Sequence, residues 1–173
     1  MSDKQRAVGE TVNGHNGART LPDGWIWTSI DEVCEVNPTI SYPDGLTDET
    51  PVSFVPMAAV DEVEGAITAL ETRPIGEVWT GYTRFAEGDV IFAKITPSME
   101  NGKAAIAENL VNGIGVGSTE FHVLRPTNSV LADWIYYFVR QVSFRADARA
   151  EMTGTAGQLR VPTRFIENAT IPL

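Results

Sequence analysis

Cysteine is almost absent: Cys34 is the single one in 173 residues. That excludes an internal disulfide and a cysteine-ligated zinc site. Long apolar runs are missing too, and none approaches the roughly 20 residues of a membrane span. The first residues lack the basic-then-apolar pattern of a secretion signal, so a cytoplasmic protein without a membrane contact is the default expectation. Positive charge is scarce, with 13 Lys and Arg against 23 Asp and Glu and a net charge of −10. This shortage speaks against a simple polyanion binder, because phosphate contacts need cations.

Catalytic patterns are missing as well. A methyltransferase acting on adenine needs an Asn or Asp followed by Pro-Pro-aromatic, and Asn37-Pro38-Thr39-Ile40 fails after one Pro. No strand–Gly-x-Gly–helix cofactor loop precedes it. The glycines of 113–117 are not followed by Lys-Ser/Thr, so they are not a nucleoside triphosphate loop. Asp89 with Glu100-Asn101-Gly102-Lys103 misses the spacing of a PD-(D/E)xK nuclease by one residue, which puts Glu100 and Lys103 on opposite strand faces. His122, between Phe121 and Val123, has no nucleophile constellation and reads as structural. His15 lies in a polar segment and is not a ligand candidate. No metal-ligand spacing occurs. Neither catalysis nor a cofactor is expected.

What is present is enough apolar content, 43%, for one real core. The charge is uneven. Residues 1–80 hold 4 basic and 14 acidic side chains, whereas residues 81–173 hold 9 of each. Residues 1–20 are polar and glycine-bearing, which predicts a disordered tail. Residues 21–173 then form a single domain.

That domain is organised around Gly81–Arg125. Val90–Ala93, Ala104–Ala107 and Phe121–Leu124 are short apolar runs bounded by Gly, Pro, Asn or Asp, the pattern of strands in a sheet. The polar connections 94–103 and 112–120 are where function would sit. The glycines of 113–117 suit either a hairpin turn or close backbone approach to a ligand.

Elsewhere the pattern predicts a turn at Leu21–Gly24, a short strand or extended anchor at Trp25–Trp27 and a helix over Thr28–Val36 with Thr28 and Asp31 as a capping box. Cys34 reads as a core residue whose thiol pKa its acidic neighbours would raise. Further strands are expected at Val52–Val60, bent at Pro56, and at Ile67–Pro74, around an acidic turn at Asp61–Gly65. A loop follows over Ile75–Tyr82, with Trp79 an anchor. Asn128 or Ser129 would cap a buried helix, Leu131–Arg140, which Gln141–Glu151 either continues or restarts. Arg145 and Arg149 share a face there, either solvated or turned to phosphates. Met152–Arg160 reads as a loop, Val161–Ile166 as a short helix with Pro162 in its first turn, and Ile166–Leu173 as extended.

The run FAEGDVIFAKITPSMENGKAAIAENLVNGIGVGSTEFHVLRP, then an aromatic helix and Met152-Thr153-Gly154-Thr155-Ala156-Gly157-Gln158-Leu159-Arg160, resembles a target-recognition domain. The family is the DNA specificity subunit of type I restriction-modification systems. Leu21-Pro22-Asp23-Gly24-Trp25 and Ile171-Pro172-Leu173 fit it, so the resemblance spans residues 21–173 in order. It implies an α+β fold, a twisted, mostly antiparallel sheet or partial barrel with a few packed helices. It also implies a non-catalytic reader of double-stranded DNA that works with methyltransferase and restriction subunits. Such subunits carry two recognition domains joined by long helices. With one domain and no such spacer helix, this chain reads as a truncated or half-size subunit, and a half-size subunit would pair with a copy of itself.

DNA recognition needs cations for phosphates and amides or guanidiniums for base edges. Arg84, Lys94, Lys103 and Arg160 are the candidate cations. Asn101 and Gln158 carry the amide suited to adenine, and Arg160 could instead read guanine. Thr96, Ser98, Ser118, Thr119, Thr153 and Thr155 offer hydroxyls to phosphate or base. The family-like residues among them, such as Lys94, Asn101, Lys103 and Gln158, could equally hold the scaffold. The competing class, favoured by the acidic first half, is a protein-interaction or ligand-binding module on the same fold.

Overall fold

Alternation of side chains along three central strands builds the molecule outward from one sheet. The computed structural model describes residues 20–173, so the tail expected over 1–20, and His15 with it, lies outside the described residues but for Thr20. In chain order the elements are β1 (Trp27–Ser29), α1 (Ile30–Val33), β2 (Cys34–Val36), β3 (Pro51–Val55), β4 (Glu71–Pro74), α2 (Ile75–Val78), β5 (Thr83–Ala86), β6 (Val90–Ala93), β7 (Ala104–Ile106), β8 (Ile114–Gly117), β9 (Phe121–Pro126), α3 (Ala132–Arg140), α4 (Val142–Ala150), β10 (Thr153–Thr155), β11 (Gln158–Arg160), α5 (Thr163–Glu167) and β12 (Thr170–Pro172).

The three expected strands pair with one another: β6 lies between β7 and β9, and β2 adds to the far side of β9. A second sheet has the order β4-β3-β8-β5. Pairing is antiparallel except for β3 with β8, and neither sheet closes on itself. The fold is therefore α+β, as expected, but with its main strands divided between two sheets.

Period-two burial explains the layering. Val90 and Phe92 of β6 face the helices, where they join Ile135, Val139, Phe144 and Ala148. Ile91, between them, faces the second sheet with Phe121, Val123 and Phe85. The outer face of the second sheet buries Val52, Phe54 and Val116 against Ile75 and Val78 of α2. Phe92 is 1% exposed and meets Phe144 edge-on at 5.9 Å between ring centres. Truncating such a ring to alanine costs about 3–5 kcal/mol.

Several expectations are corrected. The helix over Thr28–Val36 is one turn, and Cys34–Val36 is instead strand β2, drawn into the sheet by pairing with Leu124–Pro126. Ser29 takes the cap position without a side-chain cap bond, and Thr28 Oγ1 donates to Glu32 at 2.7 Å. Burial, rather than neighbouring acid, pushes the Cys34 thiol up to about 12. Pro56 ends β3 instead of bending it. The expected Ile67–Pro74 strand begins at Glu71, and the loop after it contains α2. Helix α3 starts after Leu131, not after Asn128 or Ser129. It is buried on one side only, with Ile135 and Val139 inside and Trp134 and Tyr137 exposed. The loop expected over 152–160 is the β10–β11 hairpin.

The glycines of 113–117 are corrected most sharply. Gly113 has positive φ, but Gly115 and Gly117 lie in β8, in the middle of the second sheet. A Cβ at Gly115 would collide with the Phe85 ring, and one at Gly117 with the Val55 carbonyl. These two are packing glycines, neither a hairpin turn nor a backbone surface for a ligand.

Candidate nucleic-acid interface

A shallow cleft of about 290 Å³ opens where the edges of the two sheets meet. Asn37, Thr39, Tyr82, Arg84 and Lys94 line it. Arg84 comes from β5, Lys94 directly follows β6, and Asn37 directly follows β2. Asn37 holds φ at +51°, a conformation asparagine tolerates better than most side chains. Its amide fixes the floor. Oδ1 accepts from the Val123 backbone at 3.0 Å, and Nδ2 donates to His122 Nδ1 at 3.1 Å. The other ring nitrogen, Nε2, donates to the Val161 carbonyl at 2.9 Å. Both contacts suit a neutral imidazole. Burial pushes its pKa down to about 4, against the weaker upward pull of the Val161 bond. His122 is thus the structural residue expected from the sequence, and its neutral ring packs with Phe92.

Lys94 is set by its backbone. Its N–H donates to the Glu120 carbonyl at 2.9 Å, and its carbonyl accepts from the Val161 N–H at 2.9 Å. Arg84 lies with its guanidinium 4.9 Å from the centre of the Trp79 ring. Trp79 in turn meets Tyr42 edge-on at 5.2 Å, so it anchors the loop and steadies Arg84. Two cations separated in sequence by ten residues therefore share one concave surface.

The β10–β11 hairpin is joined to this surface. Ile95 bridges Arg160, and the Thr96 N–H donates to the Leu159 carbonyl at 3.0 Å. Thr153, Thr155 and Gln158 are exposed along the hairpin. Gly154 is required there, since a Cβ would come within 2.7 Å of the Gln158 carbonyl. Arg160 forks onto Glu120, with Nε 2.9 Å and Nη2 2.7 Å from its carboxylate oxygens. That hydrogen bonding, ahead of the Coulombic attraction, holds the Glu120 carboxyl below its ordinary range. The Arg160 guanidinium is engaged by Glu120 and the Gln158 carbonyl in this conformation, so forking onto a guanine would require it to leave that pair.

Other candidates are drawn elsewhere. Lys103 Nζ donates to the Val60 carbonyl at 2.9 Å and to the Met57 carbonyl at 3.4 Å. It ties the 57–60 segment to β7 and is not the free phosphate cation expected. Asn101 is exposed, with its Nδ2 donating to Glu62 at 3.2 Å. Arg145 donates to the Glu100 carbonyl, and Arg149 pairs with the Glu100 carboxylate at 2.9 Å. Half-buried Arg145 thus grips the 96–101 turn, whereas Arg149 stays largely exposed beside it, so the shared face is solvated at Arg149 and engaged at Arg145. Ser118 Oγ accepts from the Glu120 N–H at 3.2 Å. Thr119 is exposed and Ser98 half-buried. The Thr96 hydroxyl is buried without a partner. Asp89, the residue tested for nuclease chemistry, is 1% exposed and bound by Arg125 at 2.8 and 2.7 Å. No group of three or more His, Cys, Asp and Glu suited to a metal occurs among the described residues.

Sequence reasoning had not singled out Asn37, Thr39 or Tyr82 for this surface. The signal was weak. Asn37-Pro38 marks a chain reversal, and Tyr82 is an aromatic in a loop, yet only pairing of β2 with β9 and β5 with β8 brings them together.

Two sheets, with α3 and α4 packed on one face and α2 on the other, thus hold a cleft lined by Arg84 and Lys94 with the β10–β11 hairpin joined beside it. No family model matches the chain. It is 43% identical over 153 residues to the type I restriction enzyme EcoAI specificity subunit of Escherichia coli, covering 88% of this chain and 26% of that protein. The EcoEI specificity subunit of the same organism is likewise 43% identical over 153 residues, with 88% and 25% covered. The fold matches the HsdS subunit of Thermoanaerobacter tengcongensis with a TM-score of 0.68 at 23% identity, over 91% of this chain and 40% of that one. A chain of a type I R-M system, solved for its complex assembly and conformational transition, matches with a TM-score of 0.72 at 24% identity, over 90% and 39%. This chain is a homologue of one segment of the type I restriction enzyme specificity subunits, spanning about a quarter of the length of the curated relatives it matches.

Proposed function

We propose that the chain recognises double-stranded DNA in a sequence-specific manner, as the target-recognition segment of a type I restriction-modification specificity subunit. In that role it directs methyltransferase and restriction subunits to their site, and those partners perform the chemistry. The observation that carries the reading is the cleft: Lys94 and Arg84 present charge on one concave surface, and the exposed Thr153, Thr155 and Gln158 stand on the adjoining hairpin. Cations that neutralise phosphates and amides that reach base edges are the two components duplex recognition requires. The net charge of −10 makes the affinity of this chain alone modest.

The test is binding to a mixed duplex library over a series of salt concentrations. Each phosphate neutralised contributes about −0.9 to the log–log slope, so the two cleft cations predict a slope of about −2. Binding indifferent to both salt and duplex sequence would reject the proposal.

A further inference from the structure

The hairpin meets the body of the protein through few contacts. Its own ladder has three residue pairs, Thr153 with Arg160, Gly154 with Leu159 and Thr155 with Gln158. It is attached at one end through the Ile95–Arg160 bridge and the Thr96 N–H bond to Leu159. A two-stranded ribbon of this size is not rigid on its own. Among the described residues, the fork of Arg160 onto Glu120, whose backbone carbonyl also holds Lys94, is the ion pair that ties it down. Arg160 Nη1 further donates to the Gln158 carbonyl at 3.0 Å. A single guanidinium thus connects the Glu120 turn, the cleft cation and the residue bearing the exposed amide.

We propose that the Glu120–Arg160 pair is a positioning device that sets the hairpin beside the Lys94 cleft, making the hairpin, through Gln158, the sequence-determining element. The proposal rests on the DNA reading above and divides its labour. Lys94 and Arg84 supply affinity that every duplex shares, because they meet the backbone. Gln158 supplies preference, because its amide can pair with an adenine edge in two places. Arg160 and Glu120 act through Gln158 and need not touch DNA.

Enrichment of bound duplexes from a randomised library, with a salt series on the enriched and starting pools, separates these roles. Gln158→Ala is expected to abolish preference at one base pair. Glu120→Gln removes the charge but keeps the shape. It is expected to blur the same position and to cut the ratio of enriched to random binding about tenfold, the scale of one mismatched base pair. The salt slope should not change. The exchange E120R/R160E should restore part of the preference, which a loss of general stability would not allow. Thermal melting checks each variant for folding, and Arg160→Lys, which keeps the charge and loses the fork, serves if Glu120→Gln unfolds.

An unchanged base preference in Glu120→Gln would overturn the proposal. So would an Arg160→Met variant that lowers the salt slope by about one with the pattern intact, since Arg160 would then be a phosphate contact. Salt-dependent binding with no preferred sequence in the unaltered protein would overturn the hairpin's role alone. Absence of salt-dependent binding would remove the DNA reading beneath it.

Discussion

Lys94 and Lys103 sit at opposite ends of one polar loop, yet the fold gives them opposite tasks. The Lys94 side chain lines the cleft. The Lys103 ammonium is turned onto the Val60 and Met57 carbonyls. Arg84 and Arg160 repeat the contrast, one stacked beside Trp79 and lining the same cleft, the other forked onto Glu120. Counting basic residues along a chain therefore overstates the charge available to a ligand. What matters is which cations the fold leaves without an internal acceptor.

That contrast can be broken by substitution, and the internally bound set should respond most. Asp89→Ala leaves the Arg125 guanidinium unpaired against the core and should cost about 3 kcal/mol of stability, read as a fall in the urea midpoint. Acid should be felt next. The His122 pKa lies near 4 in the fold and about 6.5 in the unfolded chain. The unfolded state therefore binds more protons between those values. The stability contributed by the neutral ring is complete above pH 6.5 and is lost as pH falls toward 4. The loss should reach about 2–3 kcal/mol, and His122→Gln should flatten this part of the pH profile. Lys103→Met removes a charged donor from two carbonyls and should cost about 2 kcal/mol, with no effect on how duplex binding depends on salt. Lys94→Met should change stability by no more than about 0.5 kcal/mol, its consequence appearing only in binding.

The parts of this arrangement that were legible in the sequence are those fixed by local pattern. Val90–Ala93 and Phe121–Leu124 alternate between two apolar environments and are bounded by breakers, so their strand character was readable. Cys34–Val36 was not, because Val36 at the end of an apparent helical face is placed in a strand by its pairing partner, Leu124. The glycines of 113–117 carry no side-chain pattern, and their role depends on Phe85 and Val55, which are distant in sequence. The single turn of α2 is too short to show a helical period.

The candidate site divides in the same way. Side-chain type put forward Lys94, Arg84, Gln158, Thr153 and Thr155 as candidates, and the fold places them on the cleft or on the hairpin. It could not reveal that Glu120 would take Arg160, or that carbonyls of the 57–60 segment would take Lys103. Those acceptors come from other parts of the chain. Nor could it anticipate Asn37, whose amide orders the cleft floor from a position 85 residues before His122.

If the chain binds DNA as proposed, its phosphate-facing charge comes from the cleft and not from every lysine of the loop. The most direct measurement is the salt slope of duplex binding for Lys94→Met and Lys103→Met side by side. The slope should become shallower by about 0.9 in Lys94→Met and stay that of the unaltered protein in Lys103→Met. Equal losses of slope in both variants, or a loss in Lys103→Met alone, would contradict it.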